Sequence, residues 1–219
     1  AGVADLLHHG FATAPGTRTE YLQVAVWFAR DHAKTMRMAL PWLDPERAAA
    51  DVAETPHGVD DLVRKWQGAR YRVQGDGVEL VVHPRLQGGL ASRCVEAAAV
   101  DRVSYNLLNN AARFAADGVV ALYLDAVSAT LGRVAVVNAV TPDQRIWLEQ
   151  HLSADPQALF RAGVTRGGQG EGLASAARLV SSVFGLTSTE AVRAHLIGTR
   201  LSPHGFIAWF HWPRVVADA

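Results

Sequence analysis

The sequence has 219 residues, 49% of them hydrophobic and 19% charged, and its 21 basic and 21 acidic residues give a formal net charge of zero. This composition is typical of a globular protein of one or two domains, and the balanced charge argues against a nucleic-acid-binding surface, which needs a basic excess. Cys94 is the only cysteine, which excludes an internal disulfide and a cysteine-based zinc site and favours a reducing, cytoplasmic location.

Residues 1–67 are predicted to form two helices that pack side by side as a hairpin. In the first helix, apolar residues recur in alternating steps of four and three, the heptad spacing of helices that share a seam. These residues are Leu22, Val26, Ala29, Ala33, Met36 and Leu40. The second helix repeats the spacing from Ala48 to Trp66, with a break at Pro56 and Gly58. Such a hairpin leaves apolar surface that a dimeric four-helix bundle would bury.

From residue 68 onward, strands alternate with helices. Segments 71–73 and 78–82 alternate with a period of two around Gly75-Asp76-Gly77, which is typical of a β-hairpin. We further predict a helix at 93–116, strands at 119–127 and 133–140, an irregular stretch at 141–170, a helix at 171–184 and strands at 194–200 and 205–212. The predicted fold class is therefore α+β, with residues 68–219 forming an α/β sandwich of one mixed sheet and helices on one face.

The segment 105–114 carries a polar stripe along a predicted helix. Asn106, Asn110 and Arg113 are spaced i, i+4 and i+7, so they share one face of that helix. Two amides and a guanidinium can hold a hydrated Mg²⁺ and the phosphates bridged to it, because Mg²⁺ keeps most of its waters and takes few protein ligands. From the spacing alone, a solvated polar face without a ligand remains the alternative.

This stretch resembles the N box of sensor histidine kinases, Asn-Leu-Leu-x-Asn-Ala-x-Lys-Phe. The match runs from Asn106 to Phe114, with arginine in place of lysine. The resemblance implies the histidine-kinase-like ATPase fold of the GHKL superfamily, which includes gyrase and a heat-shock chaperone. It also implies that Asn110 is a Mg²⁺ ligand and that Asn106 and Arg113 approach the phosphates of ATP.

A glycine-rich turn at 168–172 opens the helix predicted at 171–184. Glycines permit close backbone approach, and free N–H groups at a helix start attract phosphate, although such turns also simply connect elements. The turn is similar to the second glycine box of the same family, Gly-x-Gly-x-Gly-Leu-Ala, which follows a mobile lid. The resemblance covers about residues 69–213 and implies that ATP contacts Gly168, Gly170, Gly172 and Leu173.

The first glycine box of that family, Asp-x-Gly-x-Gly, is altered in this chain. The corresponding residues 138–142 read Asn-Ala-Val-Thr-Pro, so Asn138 stands where the resemblance places an aspartate that accepts from the adenine amine. A charge-assisted hydrogen bond is stronger than a neutral one by about 1 kcal/mol. On this reasoning, Asn138→Asp is expected to tighten ATP binding by about fivefold, unless the bulk of Val140 excludes the base.

Two adjacent histidines lie near the beginning of the sequence. The segment from His9 to Pro15 resembles the family's phosphoacceptor box, His-[Asp/Glu]-x-x-[Thr/Asn]-Pro, with Thr13 at the +4 place and Gly10 replacing the acidic general base. Extending the heptad seam backward turns His8 toward the bundle and leaves His9 at its flank. We therefore favour His9 as the phosphoacceptor, with His8, or an ordinary exposed pair, as the alternatives.

Taken with the resemblance, these features imply a sensor histidine kinase fragment. Residues 1–67 would be the dimerisation and phosphotransfer hairpin, and residues 68–219 the ATP-binding catalytic domain. The implied reaction uses ATP and Mg²⁺ to phosphorylate a histidine, and then passes the phosphoryl group to an aspartate in the receiver domain of a response regulator. The expected partners are a second copy of the chain and that regulator. No apolar run is long enough to cross a membrane, so we expect no membrane contact.

Two other functions are compatible with the sequence. One is a degenerate phosphotransferase that relays phosphate without ATP, which the missing aspartate at position 138 and the missing acid beside His9 favour. The other is a non-enzymatic dimeric scaffold, which has no need of Asn106, Asn110 and the glycine box together.

Overall fold

The computed structural model describes residues 57–73, 76–91, 99–155, 157–164, 166 and 170–215. The strands are β1 (His57–Gly58), β2 (Arg70–Val73), β3 (Asp76–Pro84), β4 (Gly89–Leu90), β5 (Val119–Ala126), β6 (Leu131–Asn138), β7 (Ile197–Ser202) and β8 (Gly205–Val215). The helices are α1 (Val59–Trp66), α2 (Ala99–Phe114), α3 (Pro142–Ala154), α4 (Gly172–Val183) and α5 (Ser188–Arg193), and a short 3-10 helix spans Ala158–Phe160. His8, His9, Thr13 and Gly168 lie outside the described residues, as does the first predicted helix.

The strands form a mixed sheet in the order β1-β4-β8-β6-β5-β3-β2, and β7 pairs with β8. Strands β3 and β5 are parallel, whereas the other pairs are antiparallel. A parallel pair needs a long crossover, and α2 lies in the segment between β3 and β5. The mixed α+β class predicted from the sequence is confirmed.

The core lies between the sheet and its helices. Successive side chains of a strand point to opposite faces, so alternate apolar residues of β5, β6 and β8 reach the same face. They pack with the apolar stripe of α2; the largest contributors are Leu122, Leu124, Val134, Phe210 and Trp212 from the strands and Val103, Leu107 and Leu108 from α2. Within the described ranges, no helix combines the length and the apolar character needed to cross a bilayer.

Helix α1 belongs to this core. Val59, Leu62 and Trp66 are buried in the same apolar cluster as the strands, and Lys65 Nζ lies 3.6 Å from Asp101 Oδ1 of α2 in a buried ion pair. The heptad spacing had predicted this segment as part of the 1–67 hairpin. A deletion that ended at residue 67 would therefore remove part of the core, and the rest of the hairpin stays a prediction.

The prediction of an irregular stretch at 141–170 was wrong, because α3 occupies its first half. Thr141 caps this helix: its Oγ1 accepts a hydrogen bond from Gln144 N at 3.2 Å, and Pro142 takes the first helical position. Three consecutive large apolar residues, Ile146 to Leu148, hide the helical period from a search for residues spaced by three and four. The threonine–proline cap was the signal in the sequence that indicated this helix.

A histidine on β8 is expected to make the stability of the protein dependent on pH. Arg133 Nε donates to His211 Nε2 at 2.9 Å between paired positions of β6 and β8, so the accepting nitrogen must be unprotonated. Burial first, and then the charges of Arg133 and His195, lower the pKa of His211. The folded protein therefore takes up this proton less readily than the unfolded chain, whose histidine pKa is about 6.5.

The contribution of His211 to the free energy of unfolding is accordingly expected to be fully present above pH of about 6.5. It should be lost as the pH falls below that value and through the lowered pKa of His211. His211→Gln should flatten this loss, because the amide oxygen accepts from Arg133 at every pH. Thermal unfolding followed by circular dichroism between pH 7.5 and 5 measures the effect, with exposed His204→Gln as the control. Equal pH slopes for wild type and His211→Gln would refute the assignment.

Candidate functional site

A partly enclosed cavity of about 80 Å³ opens between α2, α3, α4 and the strands β6 and β8. Its walls are mainly apolar, from Leu107, Ala111, Phe114, Val136, Val140, Trp147, Leu148, Leu159, Val164, Leu173, Phe206 and Ala208. Four polar residues also line it, namely Asn110, Asn138, Gln144 and Arg166. A concave apolar site with a few polar groups is the usual form of a small-molecule pocket.

At one end of the cavity, the polar face of α2 meets the start of α4. A Cβ atom placed on Gly172 would lie 3.7 Å from Asn110 Nδ2 and 3.9 Å from Asn106 Oδ1. A side chain at position 172 would therefore enter the space beside these two amides. Neither amide has a hydrogen-bond partner among the described residues, so both are free to bind a ligand.

The first turn of α4 also offers backbone donors without a capping side chain among the described residues. In α3 and α5, a threonine side chain binds an N–H group of the first turn, whereas the N-cap residue of α4, Glu171, makes no such bond. The first N–H groups of a helix have no partner within the helix and lie at the positive end of its dipole. The start of α4 therefore suits an anion such as phosphate.

Three further residues that were predicted to contact ATP, Leu173, Arg113 and Gly170, differ in their position relative to the cavity. Leu173 lines the cavity beside Asn110, whereas exposed Arg113 is not a lining residue, and its guanidinium lies 5.5 Å from the ring centroid of Phe114. Gly170 has φ +75°, and a Cβ there would approach Gly163 Cα to 2.7 Å, while Gly163 N–H donates to Gly170 O at 3.2 Å. Loop closure thus explains the glycine at 170, and its contact with ATP stays a prediction.

At the other end of the cavity, Asn138 ends β6 with only 3% of its surface exposed. Its Nδ2 donates to Ala139 O at 2.9 Å and to Phe114 O at 3.3 Å. The reversed amide would place Oδ1 against two carbonyl oxygens, so these partners determine its orientation. These hydrogen bonds argue against the expectation that Asn138→Asp tightens binding, because a carboxylate would lose both of them.

Gln144 and Arg166 also line the cavity, although no sequence pattern predicted them. Gln144 is 5% exposed, and its Oε1 accepts from Arg166 Nη1 at 3.0 Å. Sequence reasoning missed Gln144 because the segment was assigned as irregular. The Thr141-Pro142 cap signal places residue 144 in the first turn of a helix directly after β6, where it can face the same cavity as Asn138.

Comparisons with protein-family models and with curated protein sequences give no match. Among solved structures, full-length ShkA in complex with AMPPNP is similar, with 20% identity and a TM-score of 0.52 over 94% of this chain and 41% of that chain. The mycobacterial sensor histidine kinase MprB has 16% identity and a TM-score of 0.45 over 71% of this chain and 89% of its own. The chain thus spans less than half of ShkA, and the likeness to ShkA shows the histidine-kinase-like fold that the N-box resemblance implied.

Proposed function

We propose that this chain binds ATP with Mg²⁺ in the cavity and phosphorylates a histidine as part of a two-component signalling system. The proposal rests on the short distance between the amides of Asn106 and Asn110 and Gly172, where α4 begins without a capping side chain. The complex of ShkA with AMPPNP, an ATP analogue, supports it from a protein of the same fold.

The residues present fit a nucleotide with a bound magnesium ion. Asn110 offers its amide oxygen as a Mg²⁺ ligand, and Asn106 and the first-turn N–H groups of α4 suit the phosphates. In the part of the chain that the structure describes, no group of three or more His, Cys, Asp or Glu side chains could hold a metal, so waters and phosphate oxygens would complete the shell, as Mg²⁺ prefers. When bound, the ion neutralises charge on the transferred group.

The phosphoacceptor in this proposal is His9, with Thr13 beside it and His8 as the alternative. Nε2 of the histidine attacks the γ-phosphorus, the bond to the β–γ bridging oxygen breaks, ADP leaves, and the imidazole loses its proton. The phosphoryl group then passes to an aspartate in the receiver domain of a response regulator. Of the predicted 1–67 hairpin, we assign the part before α1 to the homodimer and α1 together with residues 68–219 to the catalytic domain, because α1 packs in that core. We place the protein in the cytoplasm.

A calorimetric titration with ATP tests the nucleotide site, and labelling with [γ-³²P]ATP tests the transfer. We expect binding that is stronger with Mg²⁺ than with EDTA, because an amide and backbone N–H groups alone leave the phosphate charge uncompensated. The acid-labile label should be lost in His9→Gln and kept in His8→Gln. If the protein does not bind ATP but is labelled by a phosphorylated response regulator, it is an ATP-independent phosphotransferase. If it neither binds ATP nor accepts that label, the non-enzymatic scaffold is the remaining function.

A further inference from the structure

Two nearly buried amides each present one unpaired atom to the cavity. Asn138 and Gln144 are 3% and 5% exposed, and both line it. Among the described residues, neither Asn138 Oδ1 nor Gln144 Nε2 has a hydrogen-bond partner, yet neither atom is fully enclosed by protein. A ligand in the cavity that both residues line could therefore satisfy these two atoms.

The other atom of each amide determines which group faces the cavity. Asn138 donates to two backbone carbonyls and so leaves an acceptor, whereas Gln144 accepts from Arg166 and so leaves a donor. Reversing the Gln144 amide would bring its N–H groups against the guanidinium of Arg166. Because both residues line the cavity, Asn138 Oδ1 remains as an acceptor and Gln144 Nε2 as a donor for a ligand bound there.

This pair complements the edge of adenine, where the 6-amino donor lies beside the N1 acceptor. We propose that Gln144 is a specificity-determining residue that donates through Nε2 to adenine N1, while Asn138 Oδ1 accepts from the 6-amino group. The inference rests on the proposed function, because it assumes that a nucleotide occupies the cavity. Arg166 is a positioning residue in this scheme, since it holds the Gln144 amide in the donating orientation.

The same pair discriminates against guanine. Guanine presents these groups in reverse: O6 is an acceptor where adenine has its 6-amino donor, and N1–H is a donor where adenine has its acceptor, so both contacts would oppose like groups. Its 2-amino group adds a further donor in a cavity with mainly apolar walls. Burying an amine without an acceptor is unfavourable, whereas the C2–H of adenine suits an apolar wall. ATP should therefore bind more tightly than GTP, and ITP, which lacks the 2-amino group, should lose less affinity than GTP.

The test compares ATP with 1-deaza-ATP, in which a C–H replaces N1, on the full chain. Wild type should bind ATP about tenfold more tightly than the analogue, because the analogue leaves the Gln144 donor unpaired. Gln144→Glu keeps the side-chain length and the contact with Arg166 but removes the donor. Gln144→Glu should therefore abolish the difference in affinity between ATP and 1-deaza-ATP. Gln150→Glu, at an exposed position of the same helix, should retain that difference.

The ratio of the two affinities is the decisive quantity, because an added negative charge affects both triphosphates equally. A wild type that binds neither nucleotide would overturn the proposed function, and this inference with it. A wild type that binds ATP, with a ratio that Gln144→Glu leaves unchanged, would overturn the role of Gln144 alone. GTP binding as tight as ATP binding would overturn the assignment of adenine, and circular dichroism verifies that each variant is folded.

Discussion

Asn110→Ala is expected to lower the rate of histidine phosphorylation by about 100-fold or more, the usual loss when a group that stabilises developing charge is removed. Asn110 is the N-box amide that lines the cavity, and its Nδ2 would lie 3.7 Å from a Cβ at Gly172, at the start of α4. Alanine favours helices, so this substitution in the middle of α2 should leave the fold intact. The measurement is the rate of autophosphorylation at saturating ATP over a range of Mg²⁺ concentrations.

The neighbouring asparagine provides a matched control. Asn109 occupies the next position of α2, is exposed and does not line the cavity. Asn109→Ala should therefore retain the wild-type rate and its dependence on Mg²⁺. If both variants had the same rate, or if Asn110→Ala kept the Mg²⁺ dependence of wild type, Asn110 would not be the metal ligand.

Asn138→Asp is expected to lower the free energy of unfolding by about 2–4 kcal/mol at neutral pH. Its Nδ2 donates to Phe114 O and Ala139 O, and the carboxylate oxygen that replaces it would face both carbonyls in a buried position. The variant should also bind ATP no more tightly than wild type, which is the opposite of the expectation drawn from the family pattern. Chemical denaturation and calorimetry measure the two effects.

The pH dependence of the stability of Asn138→Asp tests whether the buried carboxylate causes the loss of stability. Burial and the adjacent carbonyl oxygens would raise the pKa of the introduced carboxyl above its unfolded value of about 3.9. The folded state then binds the proton more readily than the unfolded state, so the variant loses stability as the pH rises through the raised pKa and regains it as the pH falls. Exposed Asn109→Asp is the control, and an equal pH profile in both variants would contradict the assigned hydrogen bonds.

The residues that replace the first glycine box have structural roles of their own. Asn138 satisfies two backbone carbonyls that a carboxylate could not, and Thr141 and Pro142 begin α3 in place of a glycine-rich turn. Gln144 of that helix lines the cavity, and its Oε1 accepts a hydrogen bond from Arg166. Residues 138–144 thus place two amides, those of Asn138 and Gln144, at the cavity.

The sequence by itself predicted most of the local structure of residues 68–219, although it did not predict α3 or α5. The period of two along β2 and β3, and the i, i+4, i+7 spacing of Asn106, Asn110 and Arg113, are properties of neighbouring residues. Every strand and helix predicted after residue 68 has a counterpart in the structure. The N-box pattern also indicated the histidine-kinase-like fold, because the pattern matches the family's motif along one helix.

Only the tertiary structure decided which side-chain amide groups form hydrogen bonds within the protein and which remain available to bind a ligand. The partners of Asn138 include the backbone oxygen of Phe114 on another element, and Gln144 is oriented by Arg166 from beyond the end of α3. The two N-box amides meet Gly172 because α2 and α4 pack together. The physical reason is that periodicity depends on neighbours in the chain, whereas the hydrogen-bond partner of a buried amide depends on segments that packing brings beside it.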